Sequence, residues 1–325
     1  MSELQHRKTQ FLYISLILLS CSFVLAYNYY YVVEKPLLDQ RINLHYQILQ
    51  ACAPSPYQYR ILIPYISEGL TNLFMIFFSK RYAFVLSYVI LNISGIFLLL
   101  WTSYRLLTIW FRKEYSLIGV LFIASVLPLT FFEHWYQPWS FWEAVFYTLA
   151  LLLIVKGHKW WLAVVVFIAS LNRETSILIL PAFLFTRVIG NNFLQVKEWN
   201  KNNFIWLILY TFLWSVVFIG LRILRPAEAE VESLAQIFSN NINFSNILKA
   251  LLNWALFIGF FWILALFGYH KAPNFLRRVV WVLLFHFPLI LIWGYWREVR
   301  MLMPHYSVLV GLGLSMMPEA FLDQF

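Results

Sequence analysis

Long apolar runs recur along the whole chain, separated by short charged turns, and they are what most restricts its fold. An α-helix rises about 1.5 Å per residue, so the roughly 30 Å hydrocarbon core of a bilayer takes about 20 apolar residues. Helices suit that core because they satisfy their own backbone hydrogen bonds. A membrane barrel would show short alternating stretches instead. Of the 325 residues, 62% are hydrophobic and 12% charged, where a soluble domain carries about 25% charge. The sequence therefore predicts an all-α integral membrane protein: about ten transmembrane helices in one polytopic domain, residues 1–325. The expected spans are 10–30, 82–108, 115–132, 140–156, 160–171, 176–189, 203–221, 250–269, 279–296 and 301–318, each to within roughly 2–4 residues. No internal repeat, linker or separate soluble domain is visible.

The net charge is +9. In such a chain it reflects basic cytoplasmic turns and contact with anionic membrane lipids, and no nucleic-acid module accompanies it. The tight turns Arg112-Lys113, Lys156 to Lys159 and Lys271 to Arg278 fall on one side, and most carboxylates on the other. The positive-inside rule then places both termini in the cytoplasm. Compact loops and the lack of a retention signal point to a bacterial inner (plasma) membrane. Arg7 and Lys8 precede the first run as in a signal peptide, but no small-residue cleavage site follows, so the run is expected to stay as an anchor. Cys21 and Cys52 are not expected to pair, and no Cys/His set has zinc spacing. The first extracytoplasmic loop is long, from about Tyr31 to Arg81. Within it Ile61 to Phe78 carries Glu68 and Asn72 and reads as an amphipathic helix lying in the interface. The alternative is an eleventh span, which would invert everything after it. Arg222 to Lys249, with Pro226 and three glutamates, reads as a flap or a solvated connector.

Asn172-Arg173-Glu174-Thr175 is set between two runs too short to cross a bilayer comfortably. Two short helices meeting there would hold Arg173 and Glu174 at or just inside the outer face, where ions are costly and usually functional. A plain solvated loop is the alternative. Glu34 and Asp39 follow the first span and are candidates for a general base, or for oxygen ligands to a divalent cation. Arg60, in Tyr57-Gln58-Tyr59-Arg60, suits a lipid phosphate or serves as an interfacial anchor. Glu133 and His134 stand in an aromatic outer turn, fit for acid–base work, a metal or a sugar face. Glu143 either joins that cluster or pairs with a neighbour. Arg297 and Arg300 share a face if their turn is helical and would then grip a phosphate or diphosphate together.

These residues suggest a family. Ile168 to Pro181, reading Ile-Ala-Ser-Leu-Asn-Arg-Glu-Thr-Ser-Ile-Leu-Ile-Leu-Pro, resembles the short-helix, polar-turn, short-helix segment of GT-C-fold membrane glycosyltransferases. Gln137 to Ile154 is similar to the helix before it, and Tyr59-Arg60-Ile61-Leu62-Ile63-Pro64 resembles a segment of mannosyltransferase-like members. Arg297-Glu298-Val299-Arg300 with Pro304 is similar to motifs of uncharacterised bacterial ones. The resemblance implies a polyprenyl-phosphate sugar donor and inverting transfer on the extracytoplasmic face. It also implies a catalytic acid in the first loop, here Asp39, or Glu34 as second choice. The paired acids of several such families are missing from that loop. A flippase or transporter for a lipid-linked sugar and a non-catalytic envelope assembly subunit are the competing expectations.

Overall fold

The computed structural model describes residues 3–131, 138–189, 200–227, 230, 233–258 and 261–321. Glu133 and His134 lie outside the described residues. Among the described residues the fold is all-helical, with two isolated bridges, Ser55 with Glu230 and Phe111 with Phe321, in place of any sheet.

Helix α1 (Glu3–Tyr29) continues through a π-turn at Tyr30–Glu34. Pro36, which has no N–H to donate, follows, and the chain turns into α2 (Leu38–Leu49). A 3-10 turn at Tyr57–Tyr59 leads to α3 (Leu62–Phe74). Pro64 falls in the first turn of α3, where its missing N–H would be unpaired in any case. Next come α4 (Lys80–Leu107), α5 (Lys113–Val126) and α6 (Ser140–Lys156). Helix α6 ends at Gly157, whose φ of +73° suits glycine, and the His158 N–H closes that end on the Leu153 carbonyl at 3.0 Å.

Helix α7 (Lys159–Asn172) stops where Arg173 becomes fully extended. A broken segment follows: a 3-10 turn Glu174–Leu178, the short α8 (Ile179–Phe183) and a π-turn Leu184–Val188. Asn200 caps α9 (Lys201–Leu224) by accepting from the Asn203 N–H, and a Ser233/Gln236 capping box opens α10 (Leu234–Ile242). The remainder is α11 (Phe244–Ile258), α12 (Phe261–Gly268), α13 (Asn274–Val279), α14 (Leu283–Trp293), and a 3-10 helix Val299–His305 running into α15 (Tyr306–Leu314).

Among the described residues, five stretches are long and apolar enough to cross a bilayer: Thr9–Glu34, Lys80–Leu107, Lys113–Phe131, Lys201–Leu224 and Asn274–Trp293. A sixth arises if Phe244–Leu256 and Phe261–Lys271, bent by 74°, count as one. The other expected spans fall on shorter pieces: α6 has 17 residues and α7 has 14, and the expected span 176–189 is broken into successive turns. The long helices carry wide apolar outer faces. In α9 only Tyr210 and Val217 are buried, while Ile205, Phe212, Ile219 and Ile223 stand exposed. Such a face belongs against lipid.

The bundle has two distinct ends. At one, the Arg112 N–H donates to the Ala320 carbonyl at 2.7 Å and Lys113 Nζ donates to Gln10 Oε1 at 2.9 Å, so Gln10 of α1 and Ala320 sit beside the α4–α5 turn. At the other, Tyr29 packs edge-on against Phe131 and Phe141, each at 5.1 Å between ring centroids. Between the ends, α12 crosses α15 at Gly268, where a β-carbon would collide with the Leu312 carbonyl. Only glycine lets two backbones approach this closely.

Helices α2 and α3 cover the first turns of α4. Ile63, Ser67 and Thr71 of α3 are buried, with the Thr71 and Ser87 hydroxyls 2.8 Å apart, while Tyr65, Ile66 and Leu73 face outward.

Candidate functional site

Arg173 and Glu174 are not in a solvated loop. The Arg173 side chain is 5% exposed, and its Nη1 donates to a carboxylate oxygen of Glu143, itself 7% exposed, from the first turn of α6. Its Nη2 donates to Met301 Sδ at 3.3 Å, which ties the polar turn to the 3-10 helix before α15. The Thr175 hydroxyl donates to the other oxygen of Glu143. Glu143 thus spends both oxygens on the turn. Asn172 Nδ2 fastens the same turn to the Trp139 carbonyl at 3.1 Å.

Glu174 faces another guanidinium. Arg60 Nε donates to Glu174 Oε2 at 3.2 Å, and Arg60 lies over the Trp139 ring at 5.2 Å and the Tyr57 ring at 5.6 Å. Burial pulls the Arg60 pKa down and the Glu174 carboxylate opposes that, so the guanidinium keeps its charge. Gln58, two residues earlier, donates to the carbonyls of Arg225 and Pro226, both at 2.8 Å, strapping this segment to the end of α9. Trp214 Nε1 donates to the Glu174 carbonyl at 3.3 Å from the same helix.

Arg222 completes the group. Its guanidinium lies 3.4 Å from the Phe218 centroid and 4.4 Å from that of Tyr59, its Nη1 donates to the Phe218 carbonyl, and no carboxylate among the described residues pairs with it. Among the described residues, Arg60, Arg173 and the half-buried Arg222 therefore stand near two carboxylates, Glu143 and Glu174, three guanidiniums to two acids. A narrow cleft of about 10 Å³, room for about one water, lies beside Arg173 and is lined by Glu143, Tyr147, Asn172, Arg173, Thr175 and Pro304 among others. Asn172 Oδ1, Arg173 Nε and Tyr147 Oη are buried around this cleft without a hydrogen-bond partner among the described residues. Buried polar atoms are normally satisfied, so these are open to a ligand or water.

The structure joins Arg60, Arg173 and Glu174, expected separately from sequence, and leaves the other candidates apart. Glu34 is fully buried, bonded to Arg41 at 2.8 Å and to Asn92 at 2.8 Å, a structural ion pair closed to solvent. Asp39 is 81% exposed at the start of α2 and meets Arg81 at 3.1 Å. The two acids thus do not converge on a cation, and no group of three His, Cys, Asp or Glu side chains among the described residues is arranged to hold a metal. The shared face expected for Arg297 and Arg300 is corrected, because the helix begins only at Val299. Arg300 turns to Glu298 at 2.9 Å, and Arg297 lies over Tyr295 and reaches Asn246. Sequence reasoning missed Thr175, the Trp139 platform and Arg222. A lone arginine closing an apolar run looks like an interfacial anchor.

No family model, curated protein or solved structure matches the chain.

Proposed function

We propose that the chain is a membrane glycosyltransferase that moves a sugar from a polyprenyl-phosphate carrier to an acceptor on the extracytoplasmic face. The observation that carries this reading is the cluster of three guanidiniums and two carboxylates among the described residues, with a narrow cleft beside Arg173 that holds unsatisfied hydrogen-bonding atoms. The half-buried Arg222 guanidinium, with no carboxylate paired to it among the described residues, suits a phosphate, and unpartnered amide, guanidinium and phenol groups suit sugar hydroxyls. Arg222 stands where the lipid-facing side of α9 meets the cluster, so a carrier lipid can reach the phosphate position from within the bilayer. Arg60 and Arg173 are held rigidly by their carboxylates, ready to stabilise charge on a departing phosphate. In this reading the chain passes the membrane about ten times, with α6, α7 and Glu174–Val188 as short passes and both termini cytoplasmic.

Transfer of label from polyprenyl-phosphate sugars to a native glycolipid and protein acceptor pool tests this. Arg173→Ala and Arg222→Gln are expected to abolish or sharply reduce it. Asp39→Asn, altering a group outside the cleft, is expected to keep activity, and its loss would return the base to the first loop. The broken Glu174–Val188 segment is the one feature favouring a lipid-sugar flippase instead. Carrier movement across proteoliposomes without sugar transfer would select that reading.

A further inference from the structure

Helix α6 starts beside the Arg173 cluster and ends, about 20 Å beyond Glu143, at a second and larger space. This cavity has a volume of about 300 Å³, which reaches the lower end of small-molecule sites, about 300–1,000 Å³. Ile154, Leu162 and Phe183, all buried, supply its apolar lining. Its charged lining has one sign: the half-buried Arg187 and Lys159 border it, and no carboxylate among the described residues does. Arg187 Nε donates to the Ile154 carbonyl at 2.9 Å, and Nη2 donates to the Ile154 and Val155 carbonyls. Those bonds fix the guanidinium plane at the end of α6 without neutralising it, and leave Nη1 without a bond among the described residues. Lys159 likewise forms no ion pair among the described residues. The walls are tied together. Asn203 Nδ2 of α9 donates to the Arg187 carbonyl at 2.8 Å, and Tyr210 Oη donates to the Lys159 carbonyl at 3.0 Å. Gly157, His158 and Asn200 are exposed, so the cavity opens to the surface. Beside that opening Trp160 and Trp161 stand exposed, Trp160 packs edge-on to Trp206 at 4.7 Å, and Lys159 Nζ lies 5.9 Å from the Trp206 ring. Exposed tryptophans favour the depth where lipid headgroups meet hydrocarbon. Helix α13 joins this region to the α4–α5 turn: Arg278 Nη1 donates to the Ile189 carbonyl at 3.0 Å, and Phe275 stacks on Trp110.

We propose that this cavity binds the phosphate of an anionic membrane phospholipid. The phosphate oxygens take charged hydrogen bonds from Arg187 and Lys159, and the apolar lining covers the carbon atoms next to the headgroup. Two cations with no carboxylate between them favour a net negative head over a zwitterionic one, whose own ammonium meets like charge here. Basic pockets between membrane helices are recurrent headgroup sites for this reason. Free inorganic phosphate offers the same oxygens, but it leaves Ile154, Leu162 and Phe183 uncovered and makes no use of the tryptophans at the mouth. The site is independent of the transferase reading, because it shares no residue with the Arg173 cluster and lies at the other end of α6. A bound lipid bridges the end of α6, the start of α7, the Leu184–Val188 turn and the start of α9, so it is expected to stabilise the bundle.

Native mass spectrometry of the full chain, released from micelles containing phosphatidylglycerol and phosphatidylcholine, tests this. One phosphatidylglycerol per chain is expected to stay bound after phosphatidylcholine has dissociated. Arg187→Gln and Lys159→Gln should each weaken that retention by about 10-fold. Lys156→Gln, which removes an exposed cation of the same end that does not line the cavity, should leave it unchanged. Phosphatidylglycerol should also raise the melting temperature of the wild type and not that of Lys159→Gln. Because the Lys159 side chain makes no hydrogen bond among the described residues, this variant keeps the test open if Arg187→Gln, which loses its bonds to α6, fails to fold. Equal retention of the two lipids would overturn the site. So would retention unchanged in Lys159→Gln and Arg187→Gln, or a loss in Lys156→Gln as large as in Lys159→Gln, the mark of a diffuse basic surface. Inorganic phosphate without lipid is expected to leave the melting temperature unchanged. A rise that vanishes in Lys159→Gln, with no phosphatidylglycerol retained, would assign the cavity to a soluble phosphate and overturn the lipid.

Discussion

Arg173 shows how a single ionic side chain is kept in an apolar bundle. Its charge meets Glu143, and Glu143 is in turn held by Thr175, so neither ion is left bare. Removing one partner of a buried pair strands the other, at about 3–5 kcal/mol. Arg173→Met and Glu143→Leu are each expected to lower thermal stability by that order, and the double variant by clearly less than the sum. Strict additivity in unfolding experiments would show that the pair is not coupled. Arg222 differs, since no carboxylate among the described residues forms an ion pair with it. Arg222→Gln is expected to leave the melting temperature nearly unchanged while weakening carrier-phosphate binding about 10- to 100-fold, the worth of a charged hydrogen bond.

His45 gives a pH dependence. It lies 2.9 Å from Tyr88 Oη and 3.0 Å from Glu68 Oε2, so the neutral ring accepts from the phenol and donates to the carboxylate. Burial lowers its pKa below the ordinary 6.5, and the Glu68 contact only partly opposes that. The unfolded chain therefore binds this proton more readily than the folded one. The stability linked to His45 is complete above about pH 6.5 and is lost as pH falls through the lowered folded value. Protection of the α2 and α3 amides, taken relative to the intrinsic exchange rate at each pH, should fall on acidification across that window, and His45→Gln should flatten the response.

At the scale of elements, short helices and breaks build the site. Helix α7 ends at Asn172, Arg173 extends, and a 3-10 turn begins at once, so successive residues reach different partners: Asn172 to Trp139, Arg173 to Glu143, Glu174 to Arg60. A continuous helix would have spread those side chains around its axis at about 100° intervals. The α12–α15 crossing is the packing counterpart. Gly268→Leu must push the two backbones apart at Leu312, and overpacking of this kind costs about 1–3 kcal/mol. A drop in melting temperature with the ionic cluster unaffected is expected, and full stability of that variant would place the crossing elsewhere.

For the whole molecule, the apolar outer faces of the long helices direct it into a bilayer, and the polar clusters divide between its two ends. Ser79, before α4, and Thr108, after it, lie at opposite ends of one 28-residue helix. With Cys21 and Cys52 replaced, a cysteine at Ser79 and one at Thr108 should react with an impermeant thiol reagent from opposite sides of sealed vesicles. Labelling of both from one side would mean that α4 does not cross.

Sequence alone determined the helical, membrane-directed character, because hydrocarbon admits few backbone structures and apolar run length is a one-dimensional property. It also located the Asn172 to Thr175 turn and Arg60, since an ion among apolar residues is visible without any fold. Tertiary structure decided which ions face each other. Glu34 and Arg60 look alike in sequence as polar residues of the first loop, yet one is sealed by Arg41 and Asn92 and the other joins Glu174, 114 positions away. Arg222 and the cavity of Lys159 and Arg187 were illegible for the same reason: the partner that gives each its meaning comes from a distant segment, and only helix packing brings them within reach.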